Sequence, residues 1–156
     1  LKDILCIKMD TVVEIKNKSS RFDDHISLDF EERFRRRVVL TTDSGYEFFL
    51  ALEKAAELPV GGIFVLQSGK KIKILAANEE LMMVRANSKI ELIKASWHIG
   101  NRHLNCDIKD DQIVLRNDEI IAKMLIGLGC NISYLNGPFL PLSGAYGIGR
   151  TFSHSH

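Results

Sequence analysis

Residues 81–108 read LMMVRANSKIELIKASWHIGNRHLNCDI, and this stretch decides most of the fold. Its apolar start is typical of a β-strand, and its end returns to a strand pattern. Between them, from Ser88 to Ile99, the apolar residues Ile90, Ile93 and Trp97 recur at helical spacing among charged residues. This spacing predicts an amphipathic helix between two strands.

The two ends of this helix carry recognisable signals. Ser88 is a suitable N-cap, and Glu91 three residues later would complete a capping box. Gly100 and Asn101 both tolerate the left-handed conformation that closes many helices, so we expect the helix to end there. His103 would then lie near or beyond the helix end and project away from its own domain.

The remaining C-terminal elements follow from the same periodicities. The predicted order is strand Leu81–Ala86, helix Ser88–Ile99, strand Leu104–Ile108, strand Gln112–Leu115, helix Asp118–Leu128 and strand Asn131–Leu135. This βαββαβ order is that of a ferredoxin-like domain. In the second helix we expect five apolar residues on the buried side: Ile120, Ile121, Met124, Leu125 and Leu128. Gly129 is the expected C-terminal cap.

Before residue 78 the pattern is one of short strands separated by turn residues. The predicted strands are Ile4–Ile15, Val38–Thr42, Gly45–Ala51, Gly62–Gln67 and Lys71–Leu75. We therefore predict an α+β protein, with a small β-rich N-terminal domain over 1–77 and a ferredoxin-like C-terminal domain over 78–136. Residues 137–156 are rich in Gly and Ser and lack periodicity, so we expect a flexible tail.

The composition argues against several classes of function. The net charge is +1 and both halves are balanced, which leaves no electrostatic footprint for nucleic acid or an anionic membrane. No apolar run approaches the roughly 20 residues of a bilayer span, and the N-terminal residues do not read as a signal peptide. Cys6, Cys106 and Cys130 form no CxxC pair, which favours a reducing cytoplasm. Neither a phosphate-binding loop nor an HExxH motif is present, so we predict no enzyme.

The histidines point instead to metal binding. His98 and His103 flank the predicted helix end, and His154 and His156 close the chain. Imidazole is the commonest protein ligand for borderline divalent metals. A lone projecting histidine is a poor site by itself, but a symmetry mate would supply a second one. Two histidines on a flexible tail could then reach an ion that remains coordinatively unsaturated.

Four stretches in one order resemble the UreE urease accessory proteins, a family of nickel metallochaperones. His98–His103 (HIGNRH) resembles the HxGNRH signature of that family. The other three stretches are Arg36–Gly45, Met124–Cys130, and Pro138–Phe139 with Gly144–Gly147. The resemblance covers most of the chain, from about residue 35 to 147. Asn105 stands where the family often has proline, and the histidine tail is short.

The resemblance implies a function and a set of partners. It implies a homodimer through the C-terminal domain that binds Ni²⁺ through His103 of both chains, with His154 or His156 completing the shell. It implies delivery to the urease maturation GTPase and the urease apoprotein complex, with the N-terminal domain as the docking half. Zn²⁺ or Cu²⁺ would compete at such a site, because both suit imidazole.

Several alternatives stay open at this point. His98 is a further candidate ligand, but a hydrogen-bonded structural histidine or a residue that shields the metal explains it equally well. Cys106 has HxxC spacing to His103, although a small residue packed in a strand is the simpler reading. A protein-interaction adaptor with incidental histidines and a zinc-buffering protein are the alternative functions.

Overall fold

The computed structural model describes residues 8–18 and 21–144. The chain divides into two compact units, Leu1–Ala76 and Ala77–His156, called here the N-terminal and C-terminal units. Each unit has its own cluster of buried apolar side chains. Over the described ranges, none of the helices has the length and apolarity that crossing a bilayer requires.

The N-terminal unit is built from strands. They are β1 (Val12–Lys16), β2 (Asp24–Leu28), β3 (Phe34–Thr41), β4 (Glu47–Glu57), β5 (Ile63–Leu66) and β6 (Lys71–Ala76). One sheet has the order β1-β5-β6-β2, with β2 parallel to β6, and β3 pairs with β4 as a separate antiparallel hairpin. Strand β2 was not predicted, because this short edge strand buries only Ile26 and Leu28.

The hairpin covers the four-stranded sheet with one of its two faces. Val38 and Leu40 of β3, and Phe48 and Leu50 of β4, join the buried cluster of this unit. Because side chains alternate along a strand, the intervening residues of the hairpin lie on its outer face. The rings of Phe48 and Phe64 are 5.5 Å apart between centroids and connect the two layers.

The C-terminal unit has the predicted ferredoxin-like order. Its elements are β7 (Asn78–Arg85), α1 (Lys89–Asn101), β8 (Asp107–Ile108), β9 (Ile113–Arg116), α2 (Glu119–Gly127) and β10 (Asn131–Pro138). The four strands form an antiparallel sheet in the order β10-β7-β9-β8. Residues of β7, β9 and both helices share one buried cluster, so both helices lie on the same face of the sheet. The α+β fold class is confirmed.

The buried side of α2 is narrower than predicted. Ile121 and Leu125 are buried as expected, but Ile120 is 76% exposed and Leu128 is also exposed. The helix contacts the sheet through a single stripe that includes Ala122, and the two exposed residues flank it. The prediction that all five apolar residues face the core is therefore wrong for these two.

The chain stays ordered beyond the predicted start of the tail at Gly137. Strand β10 continues to Pro138, and Phe139 is almost completely buried. The N–H of Leu142 then donates to the carbonyl of Cys106, 2.9 Å away, beside the opposite edge of the sheet. The segment after β10 thus crosses the sheet and returns close to the end of α1. Residues 145–156 of the predicted tail lie outside the described residues.

Candidate metal centre

His103 occupies a special backbone position at the end of α1. Its φ is +56°, in the left-handed region. Its N–H donates to the carbonyl of Gly100 at 2.9 Å, and the N–H of Leu104 donates to that of Ile99 at 3.3 Å. These two bonds form a Schellman motif, with His103 where glycine is the usual residue. The prediction of a left-handed end at Gly100 and Asn101 is wrong, because the helix continues through Asn101.

Apolar burial explains why the helix ends at this point. Ile99 is completely buried, and Leu104 packs partly buried against the same cluster. In a Schellman motif an apolar contact between these two positions commonly accompanies the hydrogen bonds. This contact determines the residue at which the helix ends. The left-handed position therefore falls on His103.

The left-handed conformation is unfavourable for a residue with a Cβ atom. It costs roughly 1–2 kcal/mol, although histidine is enriched there among the residues other than glycine. In the part of the chain that the structure describes, His103 is the one such residue with a positive φ. Residues held in rare conformations cluster at functional sites, which makes His103 a candidate on structural grounds alone.

The surroundings of His103 are open and polar. The residue is exposed and lines a groove of about 550 Å³ together with Glu79, Glu80, Asn105 and Arg116. Among residues 8–18 and 21–144 there is no group of three or more His, Cys, Asp and Glu side chains that could hold a metal ion. The described part of one chain therefore offers an incomplete set of ligands.

Arg102 holds the end of α1 against α2. Its Nε lies 2.9 Å from the sulfur of Met124. The same residue, as the C-cap of α1, donates its backbone N–H to the last turn. The backbone just before His103 is therefore anchored at two points, which fixes the place from which the imidazole projects.

His98 lies in the last turn of α1 and is half-buried. Its ring contacts that of Trp97 edge-on, with centroids 5.1 Å apart and planes at 85°. The imidazole is therefore partly covered by its sequence neighbour, which is itself 63% exposed.

The two described cysteines are partly or fully buried. Both are free thiols, with Cys106 half-buried beside the helix-side core and Cys130 buried in it. Burial, and then the charge of Asp107, raise the pKa of the Cys106 thiol. Burial, followed by the charge of Glu91, raises the pKa of Cys130. Metal binding requires the thiolate, so these shifts favour the packing role for Cys106.

The outer side of α1 is apolar, although it faces away from the core. Ile90, Ile93 and Trp97 are 57%, 61% and 63% exposed, whereas Ala95 and Ile99 are buried. The residues that predicted the helix are therefore not its buried side. A groove of about 220 Å³, lined by Ile93 and by the exposed Ile108 of β8, continues this surface. We call Ile90, Ile93, Trp97 and Ile108 the outer apolar face.

The tail histidines His154 and His156 lie outside the described residues. The described chain ends at Gly144, two residues after the hydrogen bond between Leu142 and Cys106. The tail therefore begins close in sequence and in space to the strand that follows His103. His25, the remaining histidine, lies in the N-terminal unit with its Nε2 3.1 Å from the carboxylate of Asp43.

The fold and the site define a two-domain α+β protein whose ferredoxin-like unit exposes a histidine at the end of its first helix. Family models divide the chain at the same place: the N-terminal domain of UreE urease accessory protein matches residues 8–77, and the C-terminal domain matches 79–156. The chain belongs to the UreE family of urease accessory proteins.

Individual relatives agree over nearly the whole chain. The urease accessory protein UreE of Rhodobacter capsulatus is 41% identical over 133 residues, which are 85% of this chain and 83% of that protein. The protein of the same name from Chelativorans sp. (strain BNC1) is 38% identical over 95% of this chain and 94% of its own length.

Proposed function

We propose that this chain is a nickel-binding metallochaperone for urease maturation and has no catalytic activity of its own. The observation that carries the proposal is the exposed His103 at the end of a helix whose outer side is apolar. Membership of the urease accessory family supports the role in urease maturation, and the preference for nickel rests on the resemblance to that family.

A homodimer would complete the site. A continuous exposed apolar patch commonly marks an interface, and the outer apolar face runs along the helix that ends at His103. In a twofold dimer the same patch meets itself, so every residue near the axis is duplicated. Pairing α1 of two chains beside this axis would bring their His103 side chains together. The partner would thus supply a second imidazole.

We assign the remaining ligands to the tail. Two imidazoles leave coordination positions open, and His154 and His156 would fill one or more of them. His154 lies ten residues beyond Gly144, and ten extended residues span at most about 33–36 Å. His98, packed against Trp97 beside the outer apolar face, would shield the ion, and direct ligation by it is the alternative.

The incomplete site explains how a carrier can release its cargo. A site made of a few exchangeable imidazoles binds an ion without enclosing it, so a partner with more ligands can take it over. Imidazole ligates only in the neutral form, so uptake should weaken in acid. By imidazole chemistry alone Cu²⁺ would bind more tightly than Ni²⁺, and Zn²⁺ also fits.

Delivery would be to the urease maturation GTPase and the urease apoprotein complex, with the N-terminal unit as the docking half. The free cysteines agree with a reducing cytoplasm as the place of transfer. These partners come from the family resemblance, and the metal site can be tested without them.

The proposal is tested by calorimetric titration of the intact chain with Ni²⁺ at neutral pH. We expect one tight site per about two chains, abolished by His103→Ala. The matched control is His25→Ala, which removes a histidine of the N-terminal unit and should leave the site intact. Unchanged binding in His103→Ala, or no tight site at all, would favour the adaptor function. Preference for Zn²⁺ in a competition titration would favour zinc buffering.

A further inference from the structure

Strand β10 lies at one edge of the C-terminal sheet, and its outer edge is open. It pairs along its whole length with β7, from Asn131 opposite Arg85 to Pro138 opposite Asn78, without a shift in register. Among the described strands it pairs with β7 alone. The other side of β10 is therefore a sheet edge of eight residues that can accept a further strand.

The other described sheet edges carry the features that usually protect an edge from pairing. The pairing of β1 is irregular, that of β3 is irregular and its strand holds three arginines, and β4 carries charged residues along its length. Strand β8 is only two residues long. The turn after β3 covers the edge of β2, because the N–H of Asp43 donates to the carbonyl of His25 and the N–H of Ser27 donates to the Asp43 carboxylate.

Strand β10 differs from these edges in sequence and in exposure. Its residues, NISYLNGP, include no charged side chain, and its proline stands at the last position. Tyr134 is 64% exposed and Leu135 is 37% exposed, both near the middle of the strand. Ile132 packs against the helix-side core, so alternation puts Tyr134 on that face of the sheet and Leu135 on the other. A strand added to this edge would cover apolar surface on both faces.

We propose that β10 pairs in antiparallel orientation with β10 of a second copy of this chain, so that two C-terminal sheets join edge to edge. Each C-terminal sheet is itself antiparallel throughout, so the joined sheet would continue the same hydrogen-bond pattern from one chain to the next. This contact is separate from the outer apolar face of α1. It goes beyond the proposed metal transfer and does not depend on metal binding.

Symmetry determines the register of such a pair. In a twofold dimer the same strand meets itself, and the axis lies perpendicular to the joined sheet. Residues directly opposite each other in an antiparallel pair share one face of the sheet, so one residue has to lie on the axis, opposite its own copy. Tyr134 is the middle residue of the stretch 131–137. Centring the pair on Tyr134 uses this stretch fully and leaves Pro138, which has no N–H to donate, outside the ladder.

The charge of the strand favours a second copy over a charged partner. Like charges directly opposite each other destabilise a strand pair, and a charged residue on the axis would meet its own charge. Strand β10 has no charge to repel its copy and none to attract a charged segment. In the register centred on Tyr134, the exposed ring lies opposite its own copy, and Ser133 lies opposite the copy of Leu135. Aromatic cross-strand pairs of this kind stabilise a sheet.

Cross-linking of the full chain tests the register. In Tyr134→Cys the two introduced side chains would have Cβ atoms about 5 Å apart, so a short bismaleimide should join two chains. Asn136→Cys is the matched control on the same strand and face, because its two copies would lie about 14 Å apart along the strand. Denaturing gel electrophoresis of the metal-free chain counts covalent dimers. The parent, with its own three cysteines, gives the background. We expect a covalent dimer from Tyr134→Cys and only background from Asn136→Cys.

Sedimentation equilibrium at high protein concentration tests the same contact without a cross-linker. The parent for this series is Ile93→Asp, which is designed to remove association through α1. We expect it to form a reversible dimer that Tyr134→Lys weakens about tenfold or more, because the aromatic pair is lost and two ammonium groups lie opposite each other. Ile120→Lys adds the same charge to an exposed residue of α2 and should leave the dimer unchanged. Thermal unfolding of each variant should match its parent.

The outcomes separate this contact from the metal site. Equal cross-linking of Tyr134→Cys and Asn136→Cys would overturn the register, and only background from Tyr134→Cys would overturn the self-pairing and leave the edge to a strand of another protein. Equal weakening by Ile120→Lys and Tyr134→Lys would also overturn the assignment. Titration of His103→Ala with Ni²⁺ tests the metal site alone, so either proposal can fail while the other holds.

Discussion

The two helices of the C-terminal unit end in the same backbone motif, with different residues in its left-handed position. At the end of α1 this residue is His103, with φ +56°, and at the end of α2 it is Gly129, with φ +86°. In both cases two N–H groups donate back to the last turn. The glycine was predicted as the cap of its helix, whereas the left-handed position of His103 was not predicted.

The same spacing of apolar residues accompanies both motifs. Ile99 and Leu104 at the end of α1, and Leu125 and Cys130 at the end of α2, are five residues apart and pack into one cluster. The core therefore requires a left-handed residue at both ends, whatever its side chain. At Gly129 an added Cβ would meet open space, so glycine serves the backbone alone. At the end of α1 a residue with a side chain occupies this position at a cost of roughly 1–2 kcal/mol, which is the structural reason for treating His103 as a candidate functional residue.

The largest expected effect comes from placing glycine in the left-handed position of α1, as in α2. His103→Gly should abolish tight Ni²⁺ binding and raise the free energy of unfolding of the metal-free chain by about 0.5–1 kcal/mol. The gain is the relieved left-handed strain, reduced by the greater freedom of glycine in the unfolded state. Calorimetric titration and urea unfolding of the same preparation measure both quantities.

His103→Ala is the control for this variant, because it removes the imidazole and keeps the unfavourable backbone. It should lose nickel binding without the gain in stability. A loss of stability in His103→Gly would contradict the comparison, since it would mean that native contacts of the imidazole outweigh the strain.

A second difference between the helices is that the exposed Ile93 of α1 belongs to the outer apolar face, whereas the exposed Ile120 of α2 does not. Ile93→Asp places a charge within this face and should weaken the proposed dimer by about 100-fold or more, because the carboxylate would be buried without a partner. Light scattering after size exclusion measures the mass. Emission of Trp97, the single tryptophan of the chain, reports on the same face.

Ile120→Asp on α2 is the matched control, because Ile120 is even more exposed than Ile93 and belongs to the other helix. It should leave the mass and the Trp97 emission unchanged. If both variants dissociate equally, or if Ile93→Asp leaves the mass unchanged, then α1 has no special part in association.

Periodicity predicted most elements of the fold but could not decide which side of a helix is buried. In α1, Ile90, Ile93 and Trp97 form one apolar stripe, and Leu92 and Ile99 lie on another. Both stripes have helical spacing, and the one with the larger residues is exposed. Residue size therefore did not decide which stripe is buried, because the tertiary context and not the spacing determines it.

The geometry at His103 could not be predicted from the sequence. The HIGNRH motif made His103 a candidate, whereas the left-handed backbone of this residue depends on how Leu104 packs against the buried cluster. The apolar pair Ile99 and Leu104, five residues apart, was a usable signal, and Leu125 with Cys130 repeats it. The proposed ligands from a second chain and from His154 and His156 cannot be read from one folded chain, because the described residues do not include them.

The smallest expected effect is on the free energy of unfolding when either of two glycines at the end of α2 is replaced by alanine. Gly129→Ala should lower the free energy of unfolding by about 1–2 kcal/mol, because alanine disfavours the left-handed conformation. Gly127→Ala, two residues earlier and inside the helix, should raise it by about 0.5–1 kcal/mol. Both sites have open space for a Cβ, so packing does not contribute to the difference between the two variants.

Urea unfolding at neutral pH measures the free energy of unfolding of both variants, and Ni²⁺ titration should be unchanged. Opposite signs would show that the core sets the backbone at this helix end independently of any ligand, and equal signs would remove the basis for comparing it with His103.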